Sequence, residues 1–389
     1  MKSLHRFDAN FKKIRSYKLD ERLKDHSIYS IEFDHENNLW IALFTKGLIK
    51  IPESEWRDTK KTTLNYKTYL LDYNDSSSIS GDQQWILYYS NDSMLWIGGV
   101  GGLDKYNYET DNFTRIFNPG TVKTIDVDSK GRIWAGTIGK GLYMYDLKNR
   151  IQKKYTVREG LINSFIYGIV IDDFNTMWIT SEGGLTRFNI SEESFKTYDL
   201  RDGLPNDHFD DKSESKLSDG NIYMGTNNGF IIFQPSEVRD DTSYCQIVLT
   251  NISINNAPLK FYETKKRSSQ KRLPIDEVTR VELWPSEKDI TFYFAALHYA
   301  APHKIQYAYM LKGYDKQWLY TDASSRQAKY TNLDGGQYTF LVKATNSDGY
   351  WSKEPLGIDL VVHPPFYKTS VFIFFLIICL LLLVYLVFQ

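Results

Sequence analysis

Five short segments of this 389-residue chain share one hydrophobic signature: Leu39-Trp40-Ile41-Ala42, Leu95-Trp96-Ile97-Gly98, Ile133-Trp134-Ala135-Gly136, Met177-Trp178-Ile179-Thr180 and Ile222-Tyr223-Met224-Gly225. The aromatic residue recurs after 56, 38, 44 and 45 residues. A period near 40 is that of a four-stranded propeller blade, a unit that cannot bury its own faces and must stack on its neighbours. Three residues before the aromatic stand Asn37, Ser93, Gly131, Asn175 and Gly220, mostly residue types that tolerate the positive φ of a tight hairpin. An apolar strand such as Ser30-Ile31-Glu32-Phe33 or Gly168-Ile169-Val170-Ile171 lies upstream. Gly47, Gly102, Gly141, Gly184 or Gly229 opens a third strand downstream, and 66–69, 113–116, 153–156 and 195–198 read as fourth strands.

The fifth unit stops short of a fourth strand, since Phe233 runs into Gln234-Pro235. Residues 11–17 resemble a fourth strand with no unit before it. Residues 1–26 therefore read as the remnant of a preceding blade, expected to pair with the fifth unit and close the ring; an incomplete ring would leave two open, aggregation-prone edges. The longest interval holds a polar loop, 72–81, inserted between blades, and loops on a propeller rim usually form its binding face.

Residues 27–240 thus read as about five blades. The period then disappears, and alternating strands begin at 248–254, 290–294, 305–311, 327–330, 337–344 and 357–362. Six or seven strands in this span, 245–364, predict an Ig-like β-sandwich. A content of 15% aromatic residues agrees with an all-β protein, because planar rings pack well on pleated surfaces. The basic run 265–272 reads as a solvated loop tip. No charged residue occurs in 371–388, which at ~1.5 Å per residue just reaches a ~30 Å hydrocarbon layer, so 369–389 reads as one transmembrane helix. Cys245 and Cys379 make no disulfide framework.

The second region resembles a known family. Ala296-Leu297-His298-Tyr299, Tyr307-Ala308-Tyr309-Met310-Leu311-Lys312-Gly313, Trp318, Tyr330-Thr331-Asn332-Leu333, Gly336-Gln337-Tyr338-Thr339-Phe340, Ala344-Thr345-Asn346 and Asp348-Gly349-Tyr350-Trp351 are similar to the Ig-like Y_Y_Y domain of periplasmic sensors. The Trp-Ile-Gly segments resemble two-component regulator propeller repeats. Their order is similar to the sensor half of hybrid two-component regulators that detect glycan fragments in gut Bacteroidetes. The resemblance implies a periplasmic, inner-membrane, single-pass sensor, homodimeric through the Ig-like domain, that relays binding to a histidine kinase. Family members carry an export signal, two larger propellers and that kinase. This chain shows five units, no apolar leader and no kinase, so it reads as an internal fragment or truncated relative, and not itself as an enzyme.

With 47 Lys+Arg against 48 Asp+Glu, a net charge of −1 argues against nucleic acid as a partner. The seven histidines, His5, His26, His35, His208, His298, His303 and His363, show no metal-ligand spacing, so neither metal nor cofactor is expected. Gly98-Gly99-Val100-Gly101-Gly102 reads as a hairpin, because no helix follows it as a phosphate loop requires. Asp172-Asp173, Asp210-Asp211 and Asp240-Asp241 read as turn or surface pairs, since strand neighbours face apart.

Eleven positions before each blade aromatic stand Tyr29, Trp85, Lys123, Tyr167 and Lys212, where the innermost strand begins near one mouth of the channel. Rings with polar tips beside ammonium groups suit an oligosaccharide, and an anionic one in particular; ordinary packing between blades is the plainer reading of any one of these residues. His208 and the loop around Ser78 are weaker candidates. Two rival readings remain. A propeller lyase would use His26, His35 or His208 with a divalent metal, and a protein-interaction scaffold would bind polypeptide in place of sugar.

Overall fold

The indoles of Trp40, Trp96, Trp134 and Trp178 are fully buried, and the way each is covered explains the first half of the chain. The computed structural model describes residues 3–18, 27–58, 60–61, 63–258, 274–368 and 370–387. It divides into two units, Met1–Val238 and Arg239–Gln389. In the first, a hairpin of β1 (Ser3–Phe7) and β2 (Lys13–Lys18) precedes four four-stranded antiparallel sheets and one of three strands. The blades are β3 to β6 (Ile28–Phe33, Leu39–Leu43, Leu48–Ile51, Lys67–Tyr69, with the short helix α1, Glu53–Arg57, before the last), β7 to β10 (Gln84–Tyr89, Leu95–Gly99, Gly102–Asn107, Asn112–Phe117), β11 to β14 (Val122–Val127, Ile133–Thr137, Leu142–Asp146, Ile151–Tyr155), β15 to β18 (Ile166–Ile171, Thr176–Ser181, Gly184–Asn189, Ser194–Tyr198) and β19 to β21 (Phe209–Lys216, Ile222–Thr226, Gly229–Phe233). The glycine-rich stretch after Trp96 is the β8–β9 hairpin, with Gly99 opposite Gly102.

The turn before each aromatic takes the expected left-handed residue, with φ of 57°, 62°, 75°, 60° and 84° at Asn37, Ser93, Gly131, Asn175 and Gly220. In three blades that turn is tied to the indole. The Trp40, Trp134 and Trp178 Nε1 groups donate to Asp34, Asp128 and Asp172 at 2.7, 2.9 and 2.9 Å. The same carboxylates accept the backbone N–H of Asn38, Arg132 and Thr176. Ser90 Oγ takes this place under Trp96 at 3.3 Å. These acids are buried and are tolerated because backbone and indole donors satisfy them. Asp172 is thus a turn residue as expected, held inside, while Asp173 lies exposed beside Lys216 at 2.7 Å.

Blades join through their innermost strands. Leu87, Ile125 and Ile169 hold one register position on β7, β11 and β15 and pack into the core around the preceding blade's tryptophan. Across the same seams, Leu87 N donates to Ser30 Oγ, Ile169 N to Thr124 Oγ1 and Ile171 N to Asp126 Oδ2 at 3.1, 3.2 and 2.8 Å.

β2 pairs with β1, and no strand of that hairpin pairs with β21 among the described residues. It packs instead as the outer half of a blade on the first one, with Tyr17 in the core of Leu39, Ile41 and Ile49 and its hydroxyl donating to Trp56 O at 2.6 Å. The reason is steric order: β2 already has an antiparallel partner in β1, with Phe7 opposite Lys13 six residues on, and its apolar face already has a cover. Both ends of the blade array stay open. Ile31, the counterpart of Leu87, Ile125 and Ile169, is 44% exposed where they are 2–4%. Phe230, the counterpart of Leu48, Leu103, Leu142 and Leu185, is 67% exposed where they are at most 4%. The inserted loop is no free rim, because Ile79 is buried in the core with Trp40 and Leu87 and Ser80 N donates to Asp104 Oδ2 at 2.7 Å.

The second unit is a sandwich of two sheets. One orders β23, β22, β25 and β28 (Ala257–Pro258, Ile247–Ile254, Asp289–Ala296, Gln327–Thr331), and the other β24, β30, β29, β26 and β27 (Arg280–Leu283, Leu356–Val362, Gly336–Ala344, Gln306–Lys312, Leu319–Asp322). The three strands absent from the sequence reading are the short ones, β23, β24 and β27, and β24 pairs in parallel with β30. Phe292 and Phe340 stack between the sheets at 4.1 Å. Buried Asn346 fastens the strand-end loop, donating to Ser243 O and accepting from Asp348 N and Tyr350 N. Cys245 is buried and Cys379 exposed, both as free thiols. The basic run 265–272 lies outside the described residues.

The chain ends in α2 (Ser370–Val387), which has no acidic or basic residue in its end turns and exposes its apolar side chains from Ile373 to Leu386. Among the described residues no helix is long and apolar enough to cross a membrane.

Two equivalent positions test the packing argument. Leu87→Ala removes a fully covered side chain and should cost about 2–5 kcal/mol, whereas Ile31→Ala should cost about 1 kcal/mol or less. Urea midpoints followed by tryptophan fluorescence measure both, and equal losses would contradict the open first blade.

Candidate functional site

Every innermost strand carries one irregularity, and it falls on the residue eleven places before the blade aromatic. The ladder steps from Ile28 to Ser30, from Gln84 to Ile86, from Val122 to Thr124 and from Ile166 to Gly168 while the partner strand advances by a single residue. The skipped residues are Tyr29, Trp85, Lys123 and Tyr167. In β19 the break is wider, from Phe209 to Glu214, and includes Lys212. A bulge leaves its extra residue unpaired and re-aims the side chain, so one repeated device turns all five candidates out of the ladder.

The structure brings these five together. Tyr29 and Trp85 meet edge to face at 4.6 Å, and Phe44 lies 5.2 Å from the first and 5.3 Å from the second. Lys123 Nζ stands 5.2 Å from both the Trp85 and Tyr167 rings. Lys212 Nζ stands 5.1 Å from the Tyr29 ring and 5.9 Å from Trp85. It also donates to Tyr29 O at 3.1 Å, so the last blade reaches the first at this mouth. Ammonium groups over ring faces gain from the ring quadrupole, most where water is partly excluded.

Charge here is divided unequally. Buried Lys123 pairs with Asp211 at 2.5 Å. Asp211 is exposed, as its dyad suggested, and the bulge also brings it onto a lysine from another blade. Lys212 makes no ion pair among the described residues, and burial pushes its ammonium down to about 8. Its φ of 51° lies in the left-handed region that a long side chain rarely occupies. Deeper in the same strand, Glu214 takes the register position of Ile31, Leu87, Ile125 and Ile169. Thr124 Oγ1 donates to its Oε1 at 3.3 Å, its Oε2 has no partner among the described residues, and burial pushes the carboxyl up to about 8. Glu214 lies against Gly168, where an added Cβ would stand 1.9 Å from Oε2 and would require the carboxylate to shift.

Asp211, Glu214, Phe44 and Thr124 were not foreseen. Glu214 alone left a signal in the sequence, a carboxylate where the repeat demands an apolar residue. The weaker candidates lie apart. His208 is exposed, 3.6 Å from Asp207. Ser78 Oγ is engaged with the backbone of Asp72. Of the histidines proposed for a lyase, His35 packs 4.5 Å from the Tyr108 ring, and His26 lies outside the described residues.

Comparison with known proteins supports the sequence reading of the second unit and the resemblance to two-component sensor regions. Residues 298–363 match the Y_Y_Y domain. The chain is 24% identical over 371 residues to Histidine kinase P4 of Formosa agariphila, an alignment covering 92% of this chain and 26% of that protein. It superposes with a TM-score of 0.73 on the extracellular domain assigned to a hybrid two-component system, BT3049, of B. thetaiotaomicron, at 23% identity, covering 92% of this chain and 47% of that one. The chain thus spans about a quarter of the curated relative and about half of the solved chain. The solved match is an extracellular domain and not a catalytic part.

The Glu214 carboxyl provides a test independent of any ligand. Between its ordinary value of 4.5 and about 8 the folded chain keeps a proton that the unfolded chain has lost, so this group lowers stability as pH rises through that window. Glu214→Gln should melt with the wild type near pH 4 and above it by several degrees near pH 8. Parallel melting curves across this range would refute a buried neutral acid.

Proposed function

We propose that this chain is the ligand-sensing region of a membrane-bound two-component regulator, holding an oligosaccharide at the propeller mouth formed by Tyr29, Trp85, Lys123, Tyr167 and Lys212. The observation that carries this reading is the repeated bulge, which spends a ladder position in every blade to gather three rings and two ammonium groups at one place. Flat rings match the apolar faces of sugars, and their polar tips and the ammonium groups match hydroxyls. The likeness to an extracellular domain of a hybrid two-component system supports a periplasmic place for the bulk of the chain.

In this reading α2 is the single-pass anchor, since a helix apolar on every side needs either a protein cover or lipid. The sandwich and α2 pass the signal on to a kinase. Two copies associate through the sandwich, and ligand shifts the balance between two dimer arrangements by its differential affinity, typically ~1–3 kcal/mol of coupling.

The experiment is calorimetric titration of the full chain in detergent with a panel of glycan oligosaccharides, alongside thermal melts. Ligand at 100 times its dissociation constant should stabilise the chain by about 2.7 kcal/mol, and Trp85→Ala should abolish the effect. Absence of heat and of any melting shift across the panel would refute carbohydrate sensing. Zinc- or manganese-dependent turnover would favour a lyase, and capture of peptide alone a scaffold.

A further inference from the structure

The mouth holds three polar groups that folding has left incompletely matched. Lys212 has a backbone carbonyl and two ring faces for company but no carboxylate in contact. The Trp85 indole N–H is covered from solvent and meets no acceptor among the described residues. Glu214 Oε2 is likewise covered and unpartnered. Buried polar groups are nearly always hydrogen-bonded, so orphans gathered at one place call for an explanation. The left-handed backbone at Lys212 and the four-residue break around it are a second, independent mark, because such strain persists where the surroundings hold it for a purpose.

The two lysines are not equivalent. Lys123 is buried between Trp85 and Tyr167 with its charge matched by Asp211, so it organises the wall. Around Lys212 stand Tyr29 from β3, Trp85 from β7, Lys123 from β11, and Asp211 and Glu214 from its own strand. With Asp211 engaged by Lys123 and Glu214 held neutral by burial, the mouth carries one unmatched positive charge.

We propose that this mouth selects acidic oligosaccharides, with a sugar carboxylate or sulfate seated on the Lys212 ammonium in place of the Tyr29 carbonyl and the adjoining sugar ring lying against Trp85 and Tyr29. The Trp85 N–H donates to an oxygen of the bound sugar. A neutral sugar hydroxyl can accept from an ammonium, but only an anion also matches its charge, and charge-assisted hydrogen bonds are roughly twice as strong as neutral ones. This inference rests on the sensing reading above and deepens it to a ligand class.

The test titrates the full chain in detergent with uronate and sulfated oligosaccharides and with neutral ones of equal length. Wild type and the Lys212→Gln and Lys212→Arg variants are compared, each first shown to melt like the wild type. The acidic probes should bind wild type, weaken roughly 10- to 100-fold in Lys212→Gln, and recover most of that loss in Lys212→Arg. Their affinity should fall as pH rises past about 8, where Lys212 loses its proton and Glu214 gains charge. Neutral probes that bind as tightly as acidic ones, or acidic binding indifferent to Lys212→Gln, would overturn the acidic class and leave carbohydrate sensing standing. No binding by any sugar would remove both.

Discussion

In the first three blades an aliphatic side chain of the next blade lies against the indole. Leu87, Ile125 and Ile169 insert beside Trp40, Trp96 and Trp134, and the Asp or Ser below the indole holds the turn that presents it. Nothing in a single four-stranded sheet could bury both faces of a tryptophan. The radial order of the blades follows from that need, and so does the convergence of five innermost strands.

The cluster at the mouth is a consequence of the same geometry. Residues that start the innermost strands must come close whatever their identity, and the bulges decide which of them leave the ladder. Four blades give the extra position to Tyr, Trp, Lys and Tyr. The fifth departs further, with a left-handed lysine and a carboxylate at a position that is aliphatic in the other four.

The same rule explains the open ends. Ile31 and Phe230 occupy positions that every interior seam covers, and they are exposed because no blade stands beside them. Expecting residues 11–17 to pair with the fifth unit was reasonable on strand type alone. It failed because β2 had a nearer antiparallel partner in β1 and an apolar face to rest on in the first blade.

By itself the sequence determined the blade period, the left-handed turn before each aromatic, the long sandwich strands and the recurrent position that brings Tyr29, Trp85, Lys123, Tyr167 and Lys212 to one place. All of these rest on spacing and residue type, which local chemistry reads directly. Only the tertiary structure decided that the five side chains leave their ladders at bulges, that Asp211 crosses to Lys123, that burial pushes the Glu214 carboxyl upward, and that the hairpin of β1 and β2 packs on the first blade. Those outcomes depend on which chain segments, far apart in sequence, compete for the same hydrogen bonds and the same apolar surface, and that competition is settled only in three dimensions.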